Sequence, residues 1–116
     1  MENGYEYCNE YDSGTMDLFD YGDNIQCLGF ASMISDFLFG KNAPFTEFYD
    51  FADLRVGDHI RLLEYEHSMI VTEIDDGTLH IAECNYDYEN CQIDWERVVT
   101  EDDLSEYACE FITRYQ

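Results

Sequence analysis

Apolar residues recur at intervals of three and four after Ile25, at Leu28, Phe30, Ala31, Ile34, Phe37 and Leu38, and Gly40 follows as a stop signal. This spacing predicts an amphipathic helix, with Asp23 or Asn24 as its cap. Beyond Ala43-Pro44 and a loop holding Phe45, Phe48, Tyr49 and Phe51, the pattern changes to runs of β-branched and apolar residues. His59 to Tyr65, His67 to Ile74, Thr78 to Tyr86 and Gln92 to Val99 read as strands, and Asp75-Asp76-Gly77 is a hairpin turn signal. Thr100 caps a short helix over Glu101 to Glu106, and Cys109 to Tyr115 returns as a last strand. Residues 1–23 are acidic and tyrosine-rich without a sustained period, and read as an irregular or weakly helical arm. The expectation is an α+β fold: an acidic arm over 1–23, then one globular domain over 24–116 in which a helix packs on a mostly antiparallel sheet of about five strands.

The 116 residues are enough for one domain, and 46% hydrophobic with one proline excludes disordered and collagen-like chains. Charge narrows the partners further. Five Lys and Arg against 27 Asp and Glu leave a net charge of −22. That charge repels phosphates, so it works against nucleic acid, anionic membrane and teichoic acids, and suits a cationic or neutral substrate. No apolar run approaches the roughly 18 residues of a membrane span, and the sequence as it stands opens without an export signal. A secreted or cell-envelope protein whose leader has been removed reads identically to a cytoplasmic one.

Five cysteines, Cys8, Cys27, Cys84, Cys91 and Cys109, are an odd number, so one thiol at least is unpaired within the chain. Bridges Cys84 to Cys91 and Cys8 to Cys109 are both open, and in a reducing compartment all five stay thiols. Cys27 falls in the first turn of the predicted helix, where unpaired N–H groups and the helix dipole favour negative charge. A thiol must ionise to attack a carbonyl, and a helix N-terminus together with an imidazolium lowers its pKa. A histidine at the start of a strand supplies that proton partner, and a further polar group must fix its tautomer.

These residues stand in blocks whose order resembles CHAP domains, the cysteine, histidine-dependent amidohydrolases and peptidases of the papain-like superfamily. Gln26-Cys27-Leu28-Gly29-Phe30-Ala31 is similar to the nucleophile motif, and Val56-Gly57-Asp58-His59-Ile60-Arg61 to the turn and strand that follow. His67-Ser68-Met69-Ile70-Val71 resembles the histidine strand, Glu83-Cys84-Asn85-Tyr86 the Glu-x-Asn of the next one, and Ile112-Thr113-Arg114-Tyr115 the terminal strand. The resemblance spans residues 24 to 115 and implies a papain-like fold. It implies Cys27 as nucleophile, His67 as general base and acid, and Glu83 as the partner of His67, with Asn85 as an alternative. Positions 83 and 85 share one face of a strand, so the sequence leaves both open. The backbone N–H of Cys27 would form part of the oxyanion hole, with Gln26 adjoining it, and Tyr86 and its neighbours would line substrate subsites.

His59, after a Gly-Asp turn, and His80, beside the hairpin, read as ordinary half-exposed histidines, and Cys84 as a buried strand residue. Asp17, Asp20 and Asp23 stand ahead of the nucleophile where some CHAP domains hold calcium, although their spacing departs from a compact Asp-x-Asp-x-Asp loop and a solvated acidic surface is the simpler expectation. No cofactor is required for the chemistry. The function implied is hydrolysis of an amide bond in a peptide or in the peptide stems of bacterial cell wall, with oligomeric state open. The competing readings are a binding module with a spent active site and, last, an acidic mimic of nucleic acid.

Overall fold

A computed structural model describes residues 26–64, 67–84 and 93–115. Helix α1 covers Gln26–Phe39, and six strands follow: β1 (Thr46–Phe48), β2 (His59–Leu62), β3 (His67–Asp75), β4 (Thr78–Cys84), β5 (Ile93–Thr100) and β6 (Cys109–Thr113), with a short α2 over Glu101–Ser105 before the last. The strands form one sheet in the order β1-β6-β2-β3-β4-β5, with every neighbouring pair antiparallel. The expected α+β class therefore holds at this level. The arm over 1–23 and the capping residues Asp23 and Asn24 lie outside the described residues.

Among the described residues the sheet has six strands, one more than the roughly five expected. Thr46-Glu47-Phe48, read as loop, pairs with Phe111 to Thr113 of β6, and the Phe48 and Phe111 rings sit 5.4 Å apart. Three residues are too few to display alternation, and the partner that makes them a strand comes from the far end of the chain.

The β3-β4 hairpin closes as its sequence demands. Asp76 and Gly77 take φ of 49° and 83°, the left-handed pair of a two-residue turn whose twist matches the strands it joins. Thr100 caps α2 by accepting from the Asp103 N–H at 3.2 Å, while the Asp103 carboxylate accepts from the Thr100 N–H at 2.9 Å.

Strand β4 carries the core on both of its faces. Leu79 and Ile81 join Ile60, Leu62, Met69, Val71, Val99, Leu104 and Phe111 in one cluster, and Ala82 and Cys84 join Phe30 of α1 and Ile93 in another. Period-2 alternation thus feeds two apolar layers from one strand.

Helix α1 buries a different face at its C-terminal end from the one the apolar spacing predicts. Phe37 and Leu38 are 85% and 52% exposed, while Ser35 and Asp36 are buried. The reason is Arg114, just beyond β6 and 3% exposed. Its guanidinium pairs with Asp36, donates to Ser35 Oγ at 3.2 Å, and reaches the Gly40, Lys41 and Ala43 carbonyls at 2.9, 3.2 and 3.0 Å. Those carbonyls follow the end of the helix, so a buried ion pair and a set of donors to the turn together outweigh two apolar side chains. Gly57, with φ +98°, turns the chain into β2 against this end of α1, where a Cβ would sit 3.0 Å from the Phe39 ring.

Candidate active site

The first turn of α1 delivers Cys27 against the sheet, 8% exposed. There the thiol lies beside the imidazole of His67, the first residue of β3, and the backbone of Ser68, both of which favour its ionised form. Burial alone pushes the thiol up, but the bonds from His67 and Ser68, the charge of His67 and the charge of Arg61 overcome it, and the net direction is below the ordinary 9.0.

His67 is 1% exposed and donates through Nε2 to Glu83 Oε1 at 2.6 Å. That bond fixes the ring, with Nδ1 buried on its other side. Burial pulls the imidazole down, and the bonds and charges of Cys27 and Glu83 reverse this, so its pKa lies above the ordinary 6.5. The two shifts have opposite signs, thiol down and imidazole up, as a thiolate-imidazolium pair requires.

Glu83 of β4 is fully buried. Register places it opposite Met69, two residues along the same face from His67. It also accepts from Arg97 Nη1 of β5, at 2.9 Å to Oε1 and 3.3 Å to Oε2. Of the two partners left open for His67, Glu83 is the one seen in place; Asn85, Tyr86 and the side chain of Gln26 lie outside what the structure describes.

The other histidines take separate roles. His59 is not half-exposed as expected but 1% exposed, and burial, then Arg61 and His67, push its pKa down to about 3, so it is neutral at physiological pH. On β2 it shares a buried face of the sheet with Arg61 and Ser68, which a turn-proximal reading could not reveal. His80 is partly exposed and 3.9 Å from Glu73, at the hairpin end of β4. Cys84 is buried beside Phe30, Ala82 and Ile93, as its place in the alternation predicts. Cys109 is a free thiol donating to the Leu104 carbonyl at 3.5 Å, so no Cys8 to Cys109 bridge is formed; Cys8 and Cys91 lie outside the described residues.

Three contributors escaped the sequence reading. Arg61, 3% exposed, donates to Ser68 Oγ at 2.8 Å and anchors the residue whose backbone meets the thiol. Ser68 and Arg97 complete the set. The usable signal was scarcity: in a chain with only five Lys and Arg, a cation inside a strand is there for an internal partner. Arg61, Arg97 and Arg114 hold interior groups, and Arg55 lies over the Tyr115 ring at 4.1 Å. The outward charge is accordingly dominated by acid.

Among the described residues, no group of three or more His, Cys, Asp or Glu is arranged to hold a metal ion, and Asp17, Asp20 and Asp23 are not among them. No described helix is long and apolar enough to cross a membrane. Compared with known proteins, the chain matches no family model, no curated protein and no solved structure.

Proposed function

We propose that this protein is a cysteine-dependent amide hydrolase, a peptidase or amidase with a papain-like, CHAP-type arrangement, acting on peptides such as the stems of bacterial cell wall. The observation that carries the reading is the convergence of Cys27, His67 and Glu83 from a helix start and two strands, with thiol and imidazole shifted toward the charged pair. Geometry and ionisation agree on one chemistry.

In the proposed reaction the Cys27 thiolate attacks the carbonyl carbon, forming a C–S bond as the carbonyl electrons move to oxygen. The N–H groups at the start of α1, that of Cys27 included, face the developing oxyanion. His67 gives its proton to the nitrogen as the C–N bond breaks, releasing the amine and leaving a thioester. Water then adds to the thioester with neutral His67 taking its proton, and the carboxylic acid departs as the thiolate re-forms. Glu83 holds the ring throughout and does not itself take the proton.

The net charge of −22 favours amine-bearing peptides over anionic polymers as substrates. The test is incubation of the full chain with a panel of amide substrates that includes cell-wall stem peptides, read by amine release and by mass of the acyl-enzyme. The expected result is a thioester on Cys27 and hydrolysis abolished in Cys27→Ala. Absence of cleavage, together with no labelling of Cys27 by peptide aldehydes, would replace this reading with that of a binding module.

A further inference from the structure

We infer that Arg97 is a positioning residue of this site: it binds the buried Glu83 side chain with a permanent positive charge and aims it at His67, and so sets the pH at which His67 releases its proton. The inference rests on the reading of Cys27, His67 and Glu83 as a catalytic triad, and extends it to a fourth, permanently charged member.

A carboxylate with no exposure is stable as an anion only with a cation beside it. His67 fills that role only while protonated, and in the proposed cycle it gives its proton away. Arg97 stays protonated at any working pH, so Glu83 keeps a counter-charge when the imidazole is neutral. The geometry is shared at a single atom: Glu83 Oε1 accepts both from His67 Nε2 at 2.6 Å and from Arg97 Nη1 at 2.9 Å, and Oε2 lies 3.3 Å from the same Nη1. Satisfying both donors leaves the carboxylate one orientation.

The strand pairing is arranged for this contact. Ile81 pairs with Arg97, but Glu83 pairs with Asp94, so β5 carries one extra residue between the two pairs. Such a bulge bends its strand and re-aims a side chain. Here it stands beside the pair, and the Arg97 guanidinium crosses diagonally to Glu83.

The other charged or titratable groups facing the cluster are Cys27 from α1, His59 and Arg61 from β2, and Asp94, paired with Glu83 on β5. His59 is neutral above about pH 3 and Arg61 keeps its charge, so neither competes for the proton that His67 loses. Removing the Arg97 charge leaves the cluster more negative and makes it hold that proton more tightly, whichever of His67 and Glu83 is taken to carry it. His67 then becomes a weaker acid toward the leaving amine.

The test follows the three histidine Cε1–H signals of the full chain by NMR from about pH 5 to about pH 10, in wild type, Arg97→Met, Arg97→Gln and Arg97→Lys, with assignments from His67→Ala and His80→Gln. Arg97→Met is expected to raise the His67 midpoint by about one unit and Arg97→Lys to restore most of the shift, with an unchanged circular dichroism spectrum as the sign of an intact fold. Arg97→Gln, which keeps a donor for Glu83 without the charge, carries the same expectation where Arg97→Met fails to fold. A His67 midpoint that stays put or falls in the uncharged variants overturns the inference. Thiolate absorbance of Cys27, followed in the same samples, separates the two claims. A missing thiolate with a moving His67 midpoint removes the hydrolase reading and upholds the control by Arg97, and a thiolate with a His67 midpoint indifferent to Arg97 does the reverse.

Discussion

Substituting Glu83 by Gln keeps the shape of the side chain and removes its charge, which makes it the sharpest probe of the buried network. Two contacts lose their charge assistance, the 2.6 Å bond from His67 and the 2.9 Å bond from Arg97, because the amide oxygen that takes the place of Oε1 is neutral, and an acceptor is replaced by an NH2 where Oε2 lay 3.3 Å from the guanidinium. Breaking a buried pair from one side costs about 3 to 5 kcal/mol. The Arg97 side chain is 23% exposed and recovers part of its hydration, which puts the expected loss near the lower end, about 3 kcal/mol. A domain with roughly 5 to 15 kcal/mol of net stability survives that change. The function should not survive: without Glu83 the His67 midpoint falls, the thiolate loses its proton partner, and hydrolysis drops by about 10² to 10⁴. Urea unfolding at neutral pH measures the first effect, and NMR titration of His67 with amide hydrolysis measures the second. A Glu83→Gln variant within about 0.5 kcal/mol of wild type and with an unmoved His67 midpoint would refute the assignment, and would pass the orienting role to Asn85.

Activity should follow a bell in pH, rising as Cys27 loses its proton below the ordinary 9.0 and falling as His67 loses its own above the ordinary 6.5; a single-sided profile in kcat/KM would contradict the paired form. His59 carries a folded pKa of about 3 against 6.5, so the unfolded chain binds the extra proton and stability falls as pH drops from 6.5 toward 3, by roughly 4 to 5 kcal/mol from this group. His59→Leu should flatten that slope in urea unfolding at several pH values, and an unchanged slope would place the acid sensitivity elsewhere. Arg114→Met removes the partner of buried Asp36 and the cap on the carbonyls after α1, and should cost about 3 to 5 kcal/mol in the same assay; a loss under about 1 kcal/mol would contradict the anchoring role. Gly57→Ala forces a side chain into φ +98° and to 3.0 Å from Phe39, and is expected to cost about 1 to 2 kcal/mol or more, which thermal unfolding checks.

Local signals in the sequence located most of the framework. Helix α1, the β3-β4 hairpin and the Thr100 capping box are specified within a few residues each, by apolar spacing, by an Asp-Gly turn and by a reciprocal cap. Cys27 and His67 stood out by their places at a helix start and a strand start, whereas Glu83 was named through the resemblance to CHAP domains; the structure joins Glu83 to His67 by a hydrogen bond. What escaped depends on distant partners. β1 is a strand only because β6 lies beside it, and Phe37 and Leu38 are outside because Arg114, some 75 residues on, claims the neighbouring positions for Ser35 and Asp36. Arg97 drew no notice in the sequence because its partner, Glu83, lies on the neighbouring strand, diagonally across the β4-β5 pairing. His59 followed the same rule in reverse: its turn suggested exposure, and packing under the site buried it.

The central claim is that Cys27 and His67 form an ionised pair in the folded protein. Alkylation of the full chain by iodoacetamide from about pH 4 to about pH 9, with peptide mapping to follow Cys27 apart from the other thiols, tests it in wild type and His67→Ala. Cys27 is expected to react fast near pH 6 in wild type, ahead of every other cysteine, and His67→Ala to move its reactivity up toward the ordinary thiol range of about 8.5. Reaction of wild-type Cys27 only at or above that range, or the same profile in both proteins, would contradict it.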